Sequence, residues 1–357
     1  MKILLFYTYS QGYLSSFFYE LSLKLTQEGH KVVNFSWKQI QSEEVIDGVK
    51  VIVKKKEGYF TNYKYVYNII KEEKPDVIIS NFSYVNPALL FGKLFGAKKN
   101  MVWFHSLHEQ MESTRLNVFV KKCFLKLADV VIANSYLTKK ELNAYYNVSE
   151  HKIQPIPFWS AISEKKMEPS DLFSQSDKAV LKIGCPGRLV AHKNQKILIE
   201  AAYALKKDES KPFHIYLAGK GEQTELKKQV KELGLINEVS FLNNLRSNDM
   251  LQFYKTVDVI VLPSLHEAFG LVFIEAIALG TPVIVSKKFG ALSFLQIDEK
   301  EFSKFTFNPE SSEELADKIR EYINHQGLSR DYFKALYNQN FDKEVIFKTF
   351  NKIIATT

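Results

Sequence analysis

The stretch PSLHEAFGLVFIEAIALGTPVIVS, residues 263–286, sets two glutamates, Glu267 and Glu275, in an otherwise apolar run. From Ala268 to Val285 the one ionisable residue is Glu275. A carboxylate without partners in an apolar interior costs several kcal/mol or takes up a proton. Either the acids belong to structural ion pairs, or a ligand uses them.

The spacing predicts a helix from near Gly270 to Gly280, with no polar face and therefore buried. Eight residues of helix separate the two acids by about 12 Å and turn them off a common face. They suit the two ends of an elongated ligand better than one small group. Between them, Phe269, Gly270 and Leu271 offer backbone N–H groups at a helix N-terminus, a place for phosphate. A diphosphate flanked by hydroxylated groups is a nucleotide sugar, and carboxylates accept from paired hydroxyls. Balancing charge is sought in GCPGRLVAHKNQKILIEA, where Arg188 follows a strand and Lys193 precedes a helix. The plainer alternative makes these two surface cations.

These residues need a rigid frame. In the first half KILLFYT, KVVNFS, VKVIVK, PDVIIS, KNMVWFH and DVVIAN read as buried strands, separated by helical stretches such as SSFFYELSLKLTQEG and TKKELNAYY. After His151 the text turns Pro- and Ser-rich, and residues 161–178 read as a linker. A second series follows: VLKIGCPG, FHIYLAG, EVSFLN, DVIVLPS, TPVIVS and FSKFTFN, then a helical end from about Glu313. Alternating strands and helices imply parallel sheets covered on both faces. The expected architecture is α/β: two Rossmann-like, doubly wound domains, residues 1–160 and 179–339, facing across a cleft. Ligands are expected at the strands' carboxyl ends.

The 357 residues suffice for two domains, and 46% hydrophobic with 25% charged residues excludes a disordered chain. Cys123 and Cys185 are far apart and carry no metal-ligand spacing, which suits a reducing compartment. The N-terminal MKILLFYTYSQGY reads as a buried strand rather than a signal peptide, and no apolar run nears the ~20 residues of a membrane span. A cytoplasmic protein is expected. Residues 1–160 hold 21 Lys/Arg against 14 Asp/Glu, so nearly all of the net charge of +8 sits in the first half. That basic half suits an anionic membrane or acidic partner, or is a solvated face. No nucleic-acid motif accompanies the lysines.

Along the chain ADVVIANSYLTKKEL, the weaker match, comes first, followed by GRLVAHKNQKILIEA, IYLAGKGEQTELKKQVKELG and PSLHEAFGLVFIEAIALGTPVIVS. Together they resemble the retaining glycosyltransferases of the GT-B fold, family 4. That resemblance implies that Arg188 and Lys193 hold the donor diphosphate, Glu275 binds the nucleotide ribose, and Glu267 lies by the transferred sugar. The backbone of Phe269, Gly270 and Leu271 faces phosphates and sugar. The C-terminal helix, about 340–357, crosses back to the first domain. Glu267 is read as orienting sugar hydroxyls, without an enzyme nucleophile, in a metal-independent front-face reaction. No Asp-x-Asp motif or cofactor signature is present, so the nucleotide sugar (a UDP- or GDP-sugar) is a co-substrate.

Family 4 often places a histidine at the end of the strand KNMVWFH, which puts His105 by the reaction centre. The run His105, His108, Glu109 also permits a metal or a polar loop, but a third ligand and a clear helix are missing. Gly12, in the first strand-to-helix turn, permits close donor approach where the family has two glycines. G-x-G-x-x-G is incomplete both there and at AGKGEQ, which excludes a nicotinamide site.

Two departures concern donor recognition. Phe158 and Trp159 replace an expected Asn-Gly, either packing the hinge or stacking on a sugar, and Ser293 stands where an acid is expected. The acceptor implied is a glycan or a polyprenyl-linked glycan at the inner membrane face. STRLNVFVKKCFLKLA is read either as lying on that membrane or as a helix packed on the sheet. The alternative to an enzyme is a non-catalytic partner subunit that keeps the fold.

Overall fold

The computed structural model describes residues 1–10, 12–38, 40–107, 114–162, 180–208 and 211–356. The chain divides into two compact units, Met1–Ala161 with Lys343–Thr357, and Ile162–Asp342. Most of the expected linker, and His108 and Glu109, lie outside the described residues.

The first unit runs β1 (Lys2–Phe6), α1 (Tyr13–Gln27), β2 (Lys31–Lys38), β3 (Ser42–Ile46), β4 (Val49–Lys55), α2 (Tyr59–Glu73), β5 (Val77–Asn81) and α3 (Val85–Leu94). It continues through β6 (Lys99–Phe104), α4 (Arg115–Leu125), β7 (Val130–Ala133), α5 (Tyr136–Tyr146) and β8 (Ile153–Pro155). Its sheet has the order β3-β4-β2-β1-β5-β6-β7-β8. All neighbours are parallel except β3 with β4. The polar strand SEEVI escapes the sequence reading, yet its turn carries a signal. Asp47 and Gly48, at φ 52° and 82°, form the two-residue left-handed turn that Asp-Gly favours in hairpins.

The second unit contains β9 (Leu181–Pro186), α6 (Gln195–Lys207), β10 (Phe213–Ala218), α7 (Thr224–Glu232), β11 (Val239–Leu242), α8 (Ser247–Thr256) and β12 (Val259–Leu262). There follow α9 (Leu271–Ala278), β13 (Val283–Ser286), α10 (Glu299–Phe305), β14 (Thr306–Phe307), α11 (Ser312–Ile323) and α12 (Arg330–Asn340). Its sheet is parallel throughout, in the order β11-β10-β9-β12-β13-β14. VIVL and VIVS are buried along their whole length, as sheets covered on both faces require. FSKFTFN, read as one strand, is mostly the end of α10. Only Thr306–Phe307 pair, and Asp298 caps the helix by accepting from Glu301 N–H.

The last helix, α13 (Lys343–Ala355), belongs to the first unit. Phe350 stacks on Trp103 at 5.4 Å, Lys24 pairs with Glu344 at 2.6 Å, and Lys343 pairs with Glu20. Lys99 Nζ donates to Ile353 O at 2.6 Å, supplying a cation where the helix leaves carbonyls unpaired.

Candidate functional site

In each sheet the connections diverge at one pair of strands, leaving a crevice at their carboxyl ends. That pair is β9 and β12 in the second unit, and β1 and β5 in the first. Arg188 and Lys193 follow β9, while Glu267, Phe269 and Gly270 follow β12.

The loop after β9 is held by backbone. Gly187 N–H donates to Ala218 O and Leu189 N–H to Lys220 O, both at 2.8 Å. A Cβ at Gly219 would overlap the Gly187 carbonyl, and one at Gly221 the Leu189 carbonyl. The glycines of AGKG therefore let two chain segments touch. Arg188 is exposed, and its guanidinium pairs with no acid among the described residues. Lys193 closes a short turn, Ala191–Lys193, ended by Asn194 at φ 58°. The buried Asn194 Nδ2 donates to Pro263 O and Pro309 O at 3.2 and 2.8 Å, tying this loop to the exit of β12. A cavity of about 690 Å³, lined by Leu189, Ala191, Asn194, Gly221 and Leu226, adjoins it.

Lys193 forms an ion pair with Glu267. The structure thus joins the cation read for the diphosphate to the acid read for the sugar. Glu267 N–H donates to Lys288 O at 3.1 Å, Gly290 N–H to Glu267 O and Ala291 N–H to Phe269 O at 2.9 Å each, so the acid's loop is clamped on both sides. Gly270 has φ 99°, and a Cβ there would run into the Phe289 ring. Here the glycine serves a close packing contact as well as a left-handed backbone. No acceptor among the described residues takes the N–H groups of Gly270 and Leu271, which head α9.

Glu275 lies within α9 and is 3% exposed. No cation pairs with it among the described residues, and Tyr254 Oη donates to its Oε2 at 2.7 Å. The ion-pair explanation therefore holds for Glu267 and fails for Glu275. Burial pushes the Glu275 carboxyl up to about 8, against the smaller opposing effect of the Tyr254 hydrogen bond. The helix stops at Gly280, φ 70°, where Gly280 N–H reaches Ile277 O and Thr281 N–H reaches Ala276 O, a Schellman ending. Lys334 Nζ on α12 donates to Ala278 O at the same end. Asn194, Tyr254 and Lys334 had no signal in the sequence, because each acts on a segment distant along the chain.

Gly12 and His105 lie in the first unit. Gly12 precedes α1, is exposed, and borders a cavity of about 320 Å³ with Tyr7, Ser10, Phe18 and Phe82. A Cβ there would meet only Ser10 Oγ at 3.5 Å, so packing does not demand the glycine. His105 Nε2 bonds Asn81 Oδ1, while Asn81 Nδ2 donates to Phe6 O at 3.0 Å. That places the imidazole proton on Nε2 and leaves Nδ1, sealed from solvent, without a partner among the described residues. Desolvation pushes the ring down to about 3, so it is neutral near pH 7. Phe82 stacks over it at 4.8 Å with φ 49°, a left-handed backbone rare for an aromatic residue.

Phe158 and Trp159 are 2% and 1% exposed. Phe158 stacks on Trp103 at 5.5 Å, and Trp159 Nε1 donates to Glu20 Oε2 at 2.7 Å. They are core residues of the first unit, and stacking on a sugar is overturned by their burial. Ser293 Oγ donates to Gly290 O at 2.6 Å and thereby steadies the clamp on Glu267. Among the described residues no three His, Cys, Asp or Glu side chains group as metal ligands, and no helix is long and apolar enough to cross a membrane.

A family model described as Glycosyl transferases group 1 matches residues 170–339, and one described as Glycosyltransferase Family 4 matches residues 14–158. An uncharacterized glycosyltransferase of Methanocaldococcus jannaschii is 28% identical over 235 residues, 60% of this chain and 58% of that protein. A second one from that organism is 24% identical over an alignment covering 98% of this chain and 93% of the other. The chain spans only 58%, 37% and 47% of the length of three curated relatives it matches. Among solved structures, Anabaena HepE in complex with UDP and glucose aligns over 100% of both chains, with a TM-score of 0.77 at 20% identity. The shared architecture is the GT-B fold.

Proposed function

The chain belongs to glycosyltransferase family 4, and from that premise we propose that it moves a sugar from a nucleotide donor onto a glycan or polyprenyl-linked acceptor with retention at the anomeric carbon. The observation that carries this reading is the joining of the two loops beside β9 and β12. The Lys193–Glu267 pair, the uncommitted Arg188 and the open N–H groups of Gly270 and Leu271 gather next to the helix that buries Glu275. Cations and N–H groups suit a diphosphate, and the two acids suit hydroxyls at its two ends. UDP and glucose in the Anabaena structure of the same fold support a UDP-sugar as donor.

In this reading Arg188, Lys193 and the backbone of Phe269, Gly270 and Leu271 stabilise the leaving diphosphate without a metal. Glu275 accepts from the ribose, and Glu267, fixed by Lys193, orients the sugar hydroxyls. The bond from the anomeric carbon to phosphate oxygen breaks, the bond to the acceptor oxygen forms on the same face, and the acceptor proton passes to the departing phosphate. Gly12 and His105 are assigned to the donor and the reacting sugar, with the His105 ring held neutral and fixed in orientation by Asn81. Work at an anionic membrane surface is supported by α4, which exposes Leu116 and Phe119 beside Arg115.

Calorimetric titration with UDP, GDP, ADP and their sugar conjugates, in EDTA, tests the donor site. Selective binding that Arg188→Ala weakens roughly ten- to hundredfold is the expected result. Binding of none of these would sink the reading and favour a non-catalytic partner.

A further inference from the structure

The carboxyl of Glu275 has one hydrogen-bond partner among the described residues, and that partner is on another helix. Tyr254, in α8, is 0% exposed and donates through Oη to Oε2 at 2.7 Å, leaving Oε1 without a partner. The cations of α12, which packs against α9, are committed to backbone carbonyls. On α12, Lys334 holds Ala278 O, while Arg330 holds Lys255 O at 3.2 Å and Val257 O at 2.7 Å. The remainder of α9 is apolar, and Tyr254 itself is anchored where Thr281 Oγ1 donates to its carbonyl at 2.7 Å.

We propose that Tyr254 is a positioning residue for nucleotide recognition, locking Oε2 of Glu275 so that Oε1 is presented to the ribose diol. The inference rests on the assignment of Glu275 to the ribose. A diol donates two hydrogen bonds, and an ionised carboxylate has the lone pairs to accept both while it also accepts from Tyr254. A protonated carboxyl spends one oxygen as a donor. Burial pushes this carboxyl up to about 8, so binding through its ionised form releases a proton at neutral pH. Removing the Tyr254 hydroxyl leaves the carboxylate with one donor fewer, so the proton is held more tightly and binding at neutral pH weakens.

The test is calorimetric titration of the full chain with UDP between about pH 6 and pH 9, in buffers of differing ionisation enthalpy. Wild-type protein should release a proton on binding at neutral pH and bind more tightly as pH rises. Tyr254→Phe should bind UDP roughly tenfold more weakly near pH 7, with the pH midpoint displaced upward and affinity largely recovered at the alkaline end. Glu275→Gln should bind weakly with no pH dependence or proton release from this site. If Tyr254→Phe keeps the wild-type midpoint while Glu275→Gln abolishes the pH dependence, Tyr254 is only packing and the proposal fails. If Glu275→Gln leaves UDP affinity and its pH profile unchanged, the ribose assignment fails, and the proposal with it. Absence of proton release from the wild type overturns the mechanism without any variant. Melting curves of each variant separate lost binding from lost folding.

Discussion

At the residue scale, Glu275 and His105 are both ionisable groups held neutral by burial, and they give opposite pH signatures. The Glu275 carboxyl moves from 4.5 when unfolded to about 8 when folded. Between those values the folded state keeps a proton that the unfolded chain has lost, so stability falls as pH rises through the window. Glu275→Gln removes that loss. It should stabilise the fold near neutral pH by on the order of 2 kcal/mol, seen as a higher melting midpoint, and make no difference near pH 4.5, while nucleotide affinity falls. His105 moves from 6.5 down to about 3, so the unfolded chain takes up a proton that the folded state refuses. Stability is then lost as pH drops below the unfolded value, by up to about 1 kcal/mol per pH unit, and His105→Gln should flatten the acid limb of the melting profile. For Arg188→Ala the expectation is ten- to hundredfold weaker UDP binding, roughly the loss of a charge-assisted phosphate contact, with an unchanged melting point because the side chain is exposed.

At the scale of elements, the two site-bearing loops depend on glycines that no other residue replaces. Gly270 has φ 99° and no room for a methyl against Phe289, while Gly221 has φ 147° and would meet the Leu189 carbonyl. Gly270→Ala should cost on the order of 2–4 kcal/mol and reduce UDP affinity, since it shifts the first turn of α9 as well as straining the backbone. Calorimetric binding alongside thermal melting checks both effects, and an unperturbed alanine variant would contradict the packing described. These glycines are visible in the sequence, where Gly270 is read as offering a backbone N–H to phosphate. The structure adds a protein ring on the side where its Cβ would stand. The β3 hairpin shows the converse: its Asp-Gly turn was legible, but SEEVI lacks apolar alternation and so carries no strand signal.

At the scale of the whole molecule, α13 completes the first unit although it ends the chain. Ile346, Phe347, Phe350 and Ile354 are buried, and Phe350 stacks on Trp103. Phe350→Ala should therefore destabilise the first unit by about 3–5 kcal/mol. Scanning calorimetry with and without UDP identifies the donor-unit transition as the one that nucleotide raises; the other transition is the one expected to fall.

Periodicity and turn chemistry alone determined the two parallel-sheet units, the helix between Gly270 and Gly280, and the candidacy of Arg188, Lys193, Glu267 and Glu275. Those features are local: apolar runs, strand ends and helix stops are written within ten or fifteen consecutive residues. Only the tertiary structure decided that Lys193 and Glu267 pair, that Tyr254 serves Glu275, that Asn81 sets the tautomer of His105, and that Phe158 and Trp159 are core. Each of these is a contact between side chains from different elements, some of them more than a hundred residues apart. Sheet order and strand register bring such residues together, and no spacing in the linear text encodes that.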